Sequence, residues 1–90
     1  GAEKPLLTSF PNPFEDKTTI IFIAENTSEA TLTIYNTLGE KVAEIFKGTV
    51  EKEKRYKTEF AGNSLPEGIY YCALESKENL NVIKLVVIKP

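Results

Sequence analysis

The side chains of this 90-residue chain that could perform chemistry are almost all carboxylates, hydroxyls and amines, because it contains no histidine and one cysteine. Without histidine, neither a Ser-His-Asp triad nor a Cys-His pair can form. One cysteine and no histidine also cannot supply the ligands of a zinc site. The four serines stand beside turn residues, where capping roles dominate. The sequence therefore predicts a chain that is not an enzyme and has no catalytic residue, no metal site and no cofactor.

Paired carboxylates are the remaining candidates for binding a metal ion. Glu15 and Asp16 are adjacent, and Glu25 stands near Glu29. A calcium loop alternates Asp and Asn and ends in a bidentate glutamate, and neither pair has that pattern. Solvation at the protein surface is the better interpretation. Cys72 stands inside an apolar stretch, where we expect a small buried side chain.

The overall charge argues against a nucleic-acid partner. The chain has 11 basic and 13 acidic residues, for a net charge of -2. A protein that neutralises phosphates carries a clustered positive excess instead. The one basic cluster, residues 52–57, is interrupted by Glu53, and we interpret it as a solvated strand end or loop.

Period-two alternation of apolar and polar residues dominates the chain from Thr18 onward. Turn residues separate the alternating stretches at a spacing of about ten residues, which is typical of a sandwich or barrel. Strands are expected at residues 18–24, 30–36, 41–46, 55–60, 69–75 and 81–88, with a seventh at 6–10 if that segment pairs. The predicted fold class is all-β, an immunoglobulin-like antiparallel β-sandwich of about seven strands.

The segment Pro5 to Phe14 carries three prolines, including Pro11 and Pro13 on either side of Asn12. Proline fixes φ, removes a backbone donor and pushes the preceding residue toward extended geometry. We therefore expect an extended, irregular segment packed at a sheet edge. The expected anchors of this segment are Leu6, Phe10 and Phe14.

Two glycines and one tyrosine are predicted to hold turns in place. Gly39 closes a turn that should join two strands as a hairpin, and Gly68 ends a dense set of chain breakers. Tyr70 stands two residues before Cys72, the spacing of a tyrosine corner, in which the hydroxyl bonds to upstream backbone. We interpret Tyr70 as a structural residue that fastens the loop before it.

Lys84 interrupts a last strand that is otherwise apolar on both faces. One interpretation is that this lysine points outward or protects an edge strand from pairing with other chains. The other is that the apolar last strand is itself recognised by another protein.

Several motifs, in their order along the chain, resemble those of a known family. They are an aromatic-PNPF motif at 10–14, a strand at 18–22, an Ile-Tyr-Asx hairpin at 32–42, a Leu-x-x-Gly-x-Tyr motif at 65–71 and a Lys-rich apolar strand at 84–89. The chain resembles the type A C-terminal sorting domain of the type IX secretion system, found in bacteria of the Bacteroidetes group. The resemblance covers residues 6 to 90 and agrees with the lack of catalytic equipment.

This resemblance implies an export signal at the end of a cargo protein that crosses the inner membrane by a separate N-terminal signal. The expected partners are the type IX translocon, outer-membrane shuttle and sortase proteins, and the N-terminal cargo domain of the parent, with no nucleic acid. The expected location is the periplasm in transit and then the cell surface or the medium. A sortase-like protease would usually remove the domain.

The last strand is the expected recognition element, offered as a sheet edge for strand addition or edge docking. The residues assigned to recognition are Lys84, Leu85, Val86, Val87 and Lys89. The residues assigned to holding the fold are Pro11, Asn12, Pro13, Gly39, Gly68 and Tyr70. We expect residues 1–4 to be a leader or cloning remnant and residues 5–90 to form the sorting domain. Exposed sheet edges would also allow a weak homodimer.

Two alternatives stay open at the level of the sequence. The first is an immunoglobulin-like structural or interaction module, retained in an extracellular enzyme, an adhesin or a secretion-apparatus protein, or related to the flagellar hook-capping sandwich. The second is a carbohydrate-binding module, for which Tyr35, Tyr56 and Tyr71 would have to share one exposed face.

Overall fold

A computed structural model describes residues 6–90, so the predicted leader at residues 1–4 lies outside the described residues. The described part forms seven β-strands and no helix. The strands are β1 (Leu7–Phe10), β2 (Lys17–Ile23), β3 (Ser28–Tyr35), β4 (Lys41–Val50), β5 (Arg55–Ala61), β6 (Gly68–Ser76) and β7 (Leu80–Val87). Within these residues there is accordingly no helix of the length and hydropathy that would cross a membrane.

The strands form two antiparallel sheets, which confirms the predicted sandwich. The three-stranded sheet has the order β1-β2-β5, and the four-stranded sheet has the order β4-β3-β6-β7. The segment at 6–10 does supply a seventh strand, because Leu7 to Phe10 pair with β2. Strand β4 runs four residues beyond the predicted end at Phe46, because Lys47 to Val50 continue to pair with β3.

The core lies between the two sheets and contains the inward members of each alternating strand. Ile20 and Phe22 of β2 are buried, while Ile21 and Ile23 face outward and are half-buried. The ring of Phe22 packs edge-on against Phe46 at a centroid distance of 5.5 Å. Such edge-to-face aromatic pairs add stability beyond the area that they bury.

Phe10 does not anchor the N-terminal segment, contrary to the prediction from its sequence. Its side chain is 80% exposed, whereas Phe14 is 2% exposed and packs edge-on against Phe60. The reason is the alternation of β1, which turns Leu7 toward the core and Phe10 toward solvent. Leu6 is half-buried, and its carbonyl accepts a hydrogen bond from the backbone N–H of Ile23.

The β3–β4 turn is closed by the side chain of Asn36. Its Oδ1 accepts hydrogen bonds from the backbone N–H groups of Leu38 and Glu40, each at 2.9 Å. Gly39 has φ of 83°, a left-handed conformation that favours glycine. The hairpin predicted around Gly39 is therefore present, and the turn residues determine how β3 and β4 pair.

Candidate functional site

Strand β7 lies at one edge of the four-stranded sheet and pairs in continuous antiparallel register with β6. Because its register has no bulge, alternate side chains point to opposite faces. Leu85 and Val87 point into the core and are 0% and 1% exposed. Lys84 is exposed and Val86 is half-buried on the outer face. The residues assigned to recognition are thus divided between the core and the surface.

The outward side chains of β7 continue into an exposed apolar patch shared with β6. We call this patch the β6–β7 outer face, and it consists of Ile69, Tyr71, Leu80, Val82, Lys84, Val86 and Ile88. Leu80 and Val82 are 63% and 51% exposed, and Tyr71 lies directly opposite Lys84. Four of these residues were not predicted from the sequence to take part in recognition: Ile69, Tyr71, Leu80 and Val82. Carrying the period-two alternation through both hairpin strands would have found them.

Lys89 is exposed, but its ammonium group is bonded to the end of the opposite sheet. Its Nζ donates hydrogen bonds to the backbone carbonyls of Gly62 at 3.0 Å and Asn63 at 3.3 Å. Its backbone N–H donates to Glu67 Oε1 at 3.2 Å. Lys89 therefore ties the chain after β7 to the turn that follows β5.

The C-terminal half of the β7 edge is covered by residues 11–14 of the same chain, which we call the PNPF segment. Asn12 Nδ2 donates to the carbonyl of Lys84 at 2.8 Å, and Asn12 Oδ1 accepts from the N–H of Val86 at 3.0 Å. Phe14 then exchanges backbone hydrogen bonds with Val86 and Ile88, each at 2.9 Å. The side-chain amide of Asn12 thus replaces one peptide group of a parallel strand.

Two hydroxyl groups fix the position of the loop that carries Asn12. Thr18 Oγ1 donates to the carbonyl of Pro11 at 2.7 Å, and the Ser9 hydroxyl lies 2.5 Å from it. Because Thr18 donates its proton to Pro11, the Ser9 hydroxyl is the donor in the second bond. The peptide bonds preceding Pro11 and Pro13 are both cis. These contacts hold the proline segment beside the last strand.

Tyr70 stands at the start of β6 and fastens the loop before it. Its hydroxyl donates to the carbonyl of Pro66 at 2.6 Å, the upstream backbone bond of a tyrosine corner. Gly68, between these two residues, has φ of 145°. The loop therefore reaches β6 along a path set by one side-chain hydroxyl and one glycine.

Cys72 is the single cysteine and is fully buried in the core. Burial raises the pKa of its thiol from 9.0 to about 12, because desolvation disfavours the thiolate. The thiolate is the reactive form of cysteine. At neutral pH, Cys72 therefore behaves as a small apolar side chain.

The three tyrosines that a carbohydrate-binding module would need do not form one platform. Tyr35 and Tyr71 are directly opposite each other on adjacent strands. Tyr56 instead faces the interior of the other sheet, where it stacks on Phe22 at a centroid distance of 5.2 Å. Within residues 6–90, no group of three acidic or cysteine side chains comes together as metal ligands would.

Comparison with known proteins places these features in one family. The family described as secretion system C-terminal sorting domain matches residues 8–89, nearly the whole chain. No curated protein matches this chain. The matched range includes the PNPF segment, both hairpins and the last strand. The family is one of sorting signals rather than of enzymes. The chain therefore belongs to the C-terminal sorting domains of the type IX secretion system.

Proposed function

We propose that the β6–β7 outer face is the surface through which the type IX apparatus recognises this sorting domain. The observation that carries the proposal is the exposure of a contiguous apolar patch on the strand that bears the Lys-rich family motif. Contiguous exposed apolar patches on small soluble domains mark interaction sites. Lys84 lies within this patch, and its single positive charge fixes how a partner aligns along β7.

The proposed division of labour follows from the contacts of the predicted recognition residues. Lys84 and Val86 present side chains to a partner from the folded domain. Leu85 and Val87 act indirectly, since they fasten β7 to the core. Lys89 also acts indirectly, because its ammonium group is engaged by two backbone carbonyls. Recognition thus requires the folded sheet and not the terminal peptide alone.

The proposed partners are an outer-membrane shuttle protein and the translocon, which would bind the domain in the periplasm while it is still joined to its cargo. A sortase-like protease would then remove the domain, and the cargo would reach the cell surface or the medium. The domain is the substrate of that protease in this scheme. An N-terminal cargo domain of the parent protein is the molecule that it exports.

A reporter fusion tests the export role directly. The 90-residue chain is placed after a reporter that carries its own inner-membrane signal, in a type IX-competent host and in a strain that lacks the translocon. We expect the reporter at the cell surface or in the medium of the competent host only. Retention in the periplasm of both strains would refute the export role of this chain.

Substitutions on the outer face test the proposed surface in the same assay. We expect Lys84→Glu and Val82→Thr to lower export several-fold, because each changes the patch while keeping an outward strand residue. The matched controls are Lys57→Glu on β5 and Val42→Thr on β4, at exposed positions outside the patch. Equal export by the patch variants and their controls would reject the outer face as the recognition surface.

A further inference from the structure

From Leu80 to the N–H of Lys84, the outward edge of β7 makes no hydrogen bond to any residue in the range 6–90. In the C-terminal half, the outward backbone groups belong to the even-numbered residues, since Lys84, Val86 and Ile88 bond to the PNPF segment. The unbroken register of β7 extends this alternation to Leu80 and Val82. Among residues 6–90, no backbone or side-chain group bonds to the outward N–H and C=O of Leu80 and Val82 or to the N–H of Lys84.

The other sheet edges carry features that discourage pairing with a second chain, and this stretch carries few. Strand β4 carries the exposed charges Lys41, Glu44 and Lys47 and has two irregularities in its pairing with β3. Charged side chains also line the outer face of β5 at Arg55, Lys57 and Glu59, and β1 has only four residues. Such charges and short lengths are the usual protection of edge strands. Residues 80–84 instead present Leu80 and Val82, both more than half exposed, and a single charged side chain, Lys84. The open stretch is therefore the sheet edge best suited to strand pairing.

We propose that residues 80–84 pair with the same residues of a second copy of this chain, antiparallel about a two-fold axis at Val82. In this register the two Val82 residues exchange both backbone hydrogen bonds. The N–H of each Lys84 donates to the carbonyl of Leu80 in the other copy. The carbonyls of Leu80 and Val82 then both accept a hydrogen bond. The pairing ends at Lys84, because Asn12 already donates to the carbonyl of that residue.

The side chains in this register are complementary in charge. Lys84 of one copy lies opposite Leu80 of the other, and Glu75 lies beside that Leu80 on β6. Two strand spacings separate Lys84 from this Glu75, about 10 Å between backbones. Two long side chains on the same face can span that distance. The two-fold symmetry gives the contact twice, and neither Lys84 nor Glu75 has a salt bridge within residues 6–90.

The association is expected to be weak because the interface is small. Five residues per chain bury far less than the roughly 1,200 Å² of a stable complex. A dissociation constant on the order of 1 mM is the appropriate expectation. Because pairing occurs at the edge, most of the β6–β7 outer face stays accessible in the dimer.

Dilution of the isotopically labelled 90-residue chain tests the proposal, with sedimentation equilibrium as a second measurement. From about 2 mM down to about 0.02 mM, a range that brackets the expected dissociation constant, we expect the average mass to fall. The amide shifts that change should be centred on Leu80, Val82 and Lys84. A monomeric mass throughout would overturn the proposal, as would shifts centred on another edge or protection of the Val82 amide that is independent of concentration.

Substitutions distinguish edge pairing from nonspecific association of the chain. Val82→Pro removes an outward N–H that has no partner within residues 6–90, and edge strands accept proline, so we expect a folded chain with at least tenfold weaker association. Lys84→Glu should weaken association several-fold, and adding Glu75→Lys should restore it. Lys57→Glu makes the same charge change on β5, so it should alter association only as much as the change in net charge does. Unchanged association of Lys84→Glu, or no rescue by Glu75→Lys, would contradict this register even if Val82→Pro failed to fold.

Discussion

Tyr70 and Tyr71 are adjacent in the chain, but one side chain is buried and the other is exposed. Tyr70 is buried and donates its hydroxyl proton to the carbonyl of Pro66. Tyr71 is exposed on the outer face beside Lys84. One hydroxyl therefore stabilises the fold, and the other is available to a partner.

We expect Tyr70→Phe to lower the free energy of unfolding by about 1–2 kcal/mol, because it leaves a part-buried carbonyl without its donor. Tyr71→Phe should stay within about 0.5 kcal/mol of the parent chain, as exposed substitutions usually do. Urea unfolding of both variants measures the difference. Equal stability of the two variants would show that the tyrosine corner contributes nothing.

The raised pKa of Cys72 predicts how stability changes at alkaline pH. The folded thiol has a pKa of about 12 and the reference value is 9.0, so the unfolded chain loses this proton first as the pH rises. The stabilisation that the folded state gains from the neutral Cys72 thiol is fully present below pH 9. It decreases between pH 9 and 12, by at most about 1.4 kcal/mol per pH unit. Comparing the parent chain with Cys72→Ala isolates it, and we expect a shallower decline in the variant. Identical slopes, or rapid alkylation of the folded chain at pH 8, would contradict a buried neutral thiol.

At the scale of elements, the PNPF segment acts as a short extra strand beside β7. Asn12 contributes two side-chain hydrogen bonds and Phe14 contributes two backbone hydrogen bonds and a buried ring. The segment joins the end of the four-stranded sheet to β1 and β2 of the other sheet. It also leaves only part of the last strand open to other molecules.

Asn12→Ala should lower the free energy of unfolding by about 1–3 kcal/mol, since two hydrogen bonds are lost and the Val86 N–H loses its acceptor. Hydrogen exchange at the Val86 amide should become faster, while the amides paired with β6 keep their protection relative to global unfolding. Asn63→Ala, at an exposed position, is the control and should be nearly neutral. Slow exchange at Val86 in the Asn12 variant would rule out the side-chain contact.

Gly62, just after β5, packs closely against the ring of Phe14 in the PNPF segment. A Cβ atom at this position would lie 2.9 Å from Phe14 Cε2 and 3.4 Å from Val87 Cγ2. We therefore expect Gly62→Ala to destabilise the domain by about 1–3 kcal/mol through overpacking. At Gly48 the nearest atom would be 3.9 Å away, so Gly48→Ala should be neutral or slightly stabilising. Thermal unfolding of the two variants checks the order.

At the scale of the whole molecule, the proposed recognition surface and the core of the fold share the same last strand. Residues 86–90 contain Val87 of the core, the partners of Phe14 and the Lys89 contacts with the opposite sheet. A truncation in this region therefore removes structure along with any recognition determinant. Point substitutions on the outer face separate the two effects.

Deleting residues 86–90 should abolish export, and we expect the truncated chain also to lose its native fold. Circular dichroism and the dispersion of amide resonances measure the fold. Lys84→Glu should keep both signals while lowering export. A truncated domain that stays folded, with an unchanged midpoint of unfolding by circular dichroism, would show that the last five residues are dispensable for the sandwich.

The amino-acid sequence by itself determined the strands and most of their inward and outward faces, because period-two alternation is a local property of the chain. Ile20, Phe22, Leu32 and Ile34 could be assigned to the core from it, and the hairpin at Gly39 from its turn chemistry. Only the tertiary structure decided that Asn12 bonds to Lys84 and Val86 at the edge of β7 and that Lys89 bonds to Gly62. These contacts join residues 72, 74 and 27 positions apart, and no local periodicity encodes which strand ends meet. The order of the strands in the sheets, set by packing of the whole core, brings those residues together.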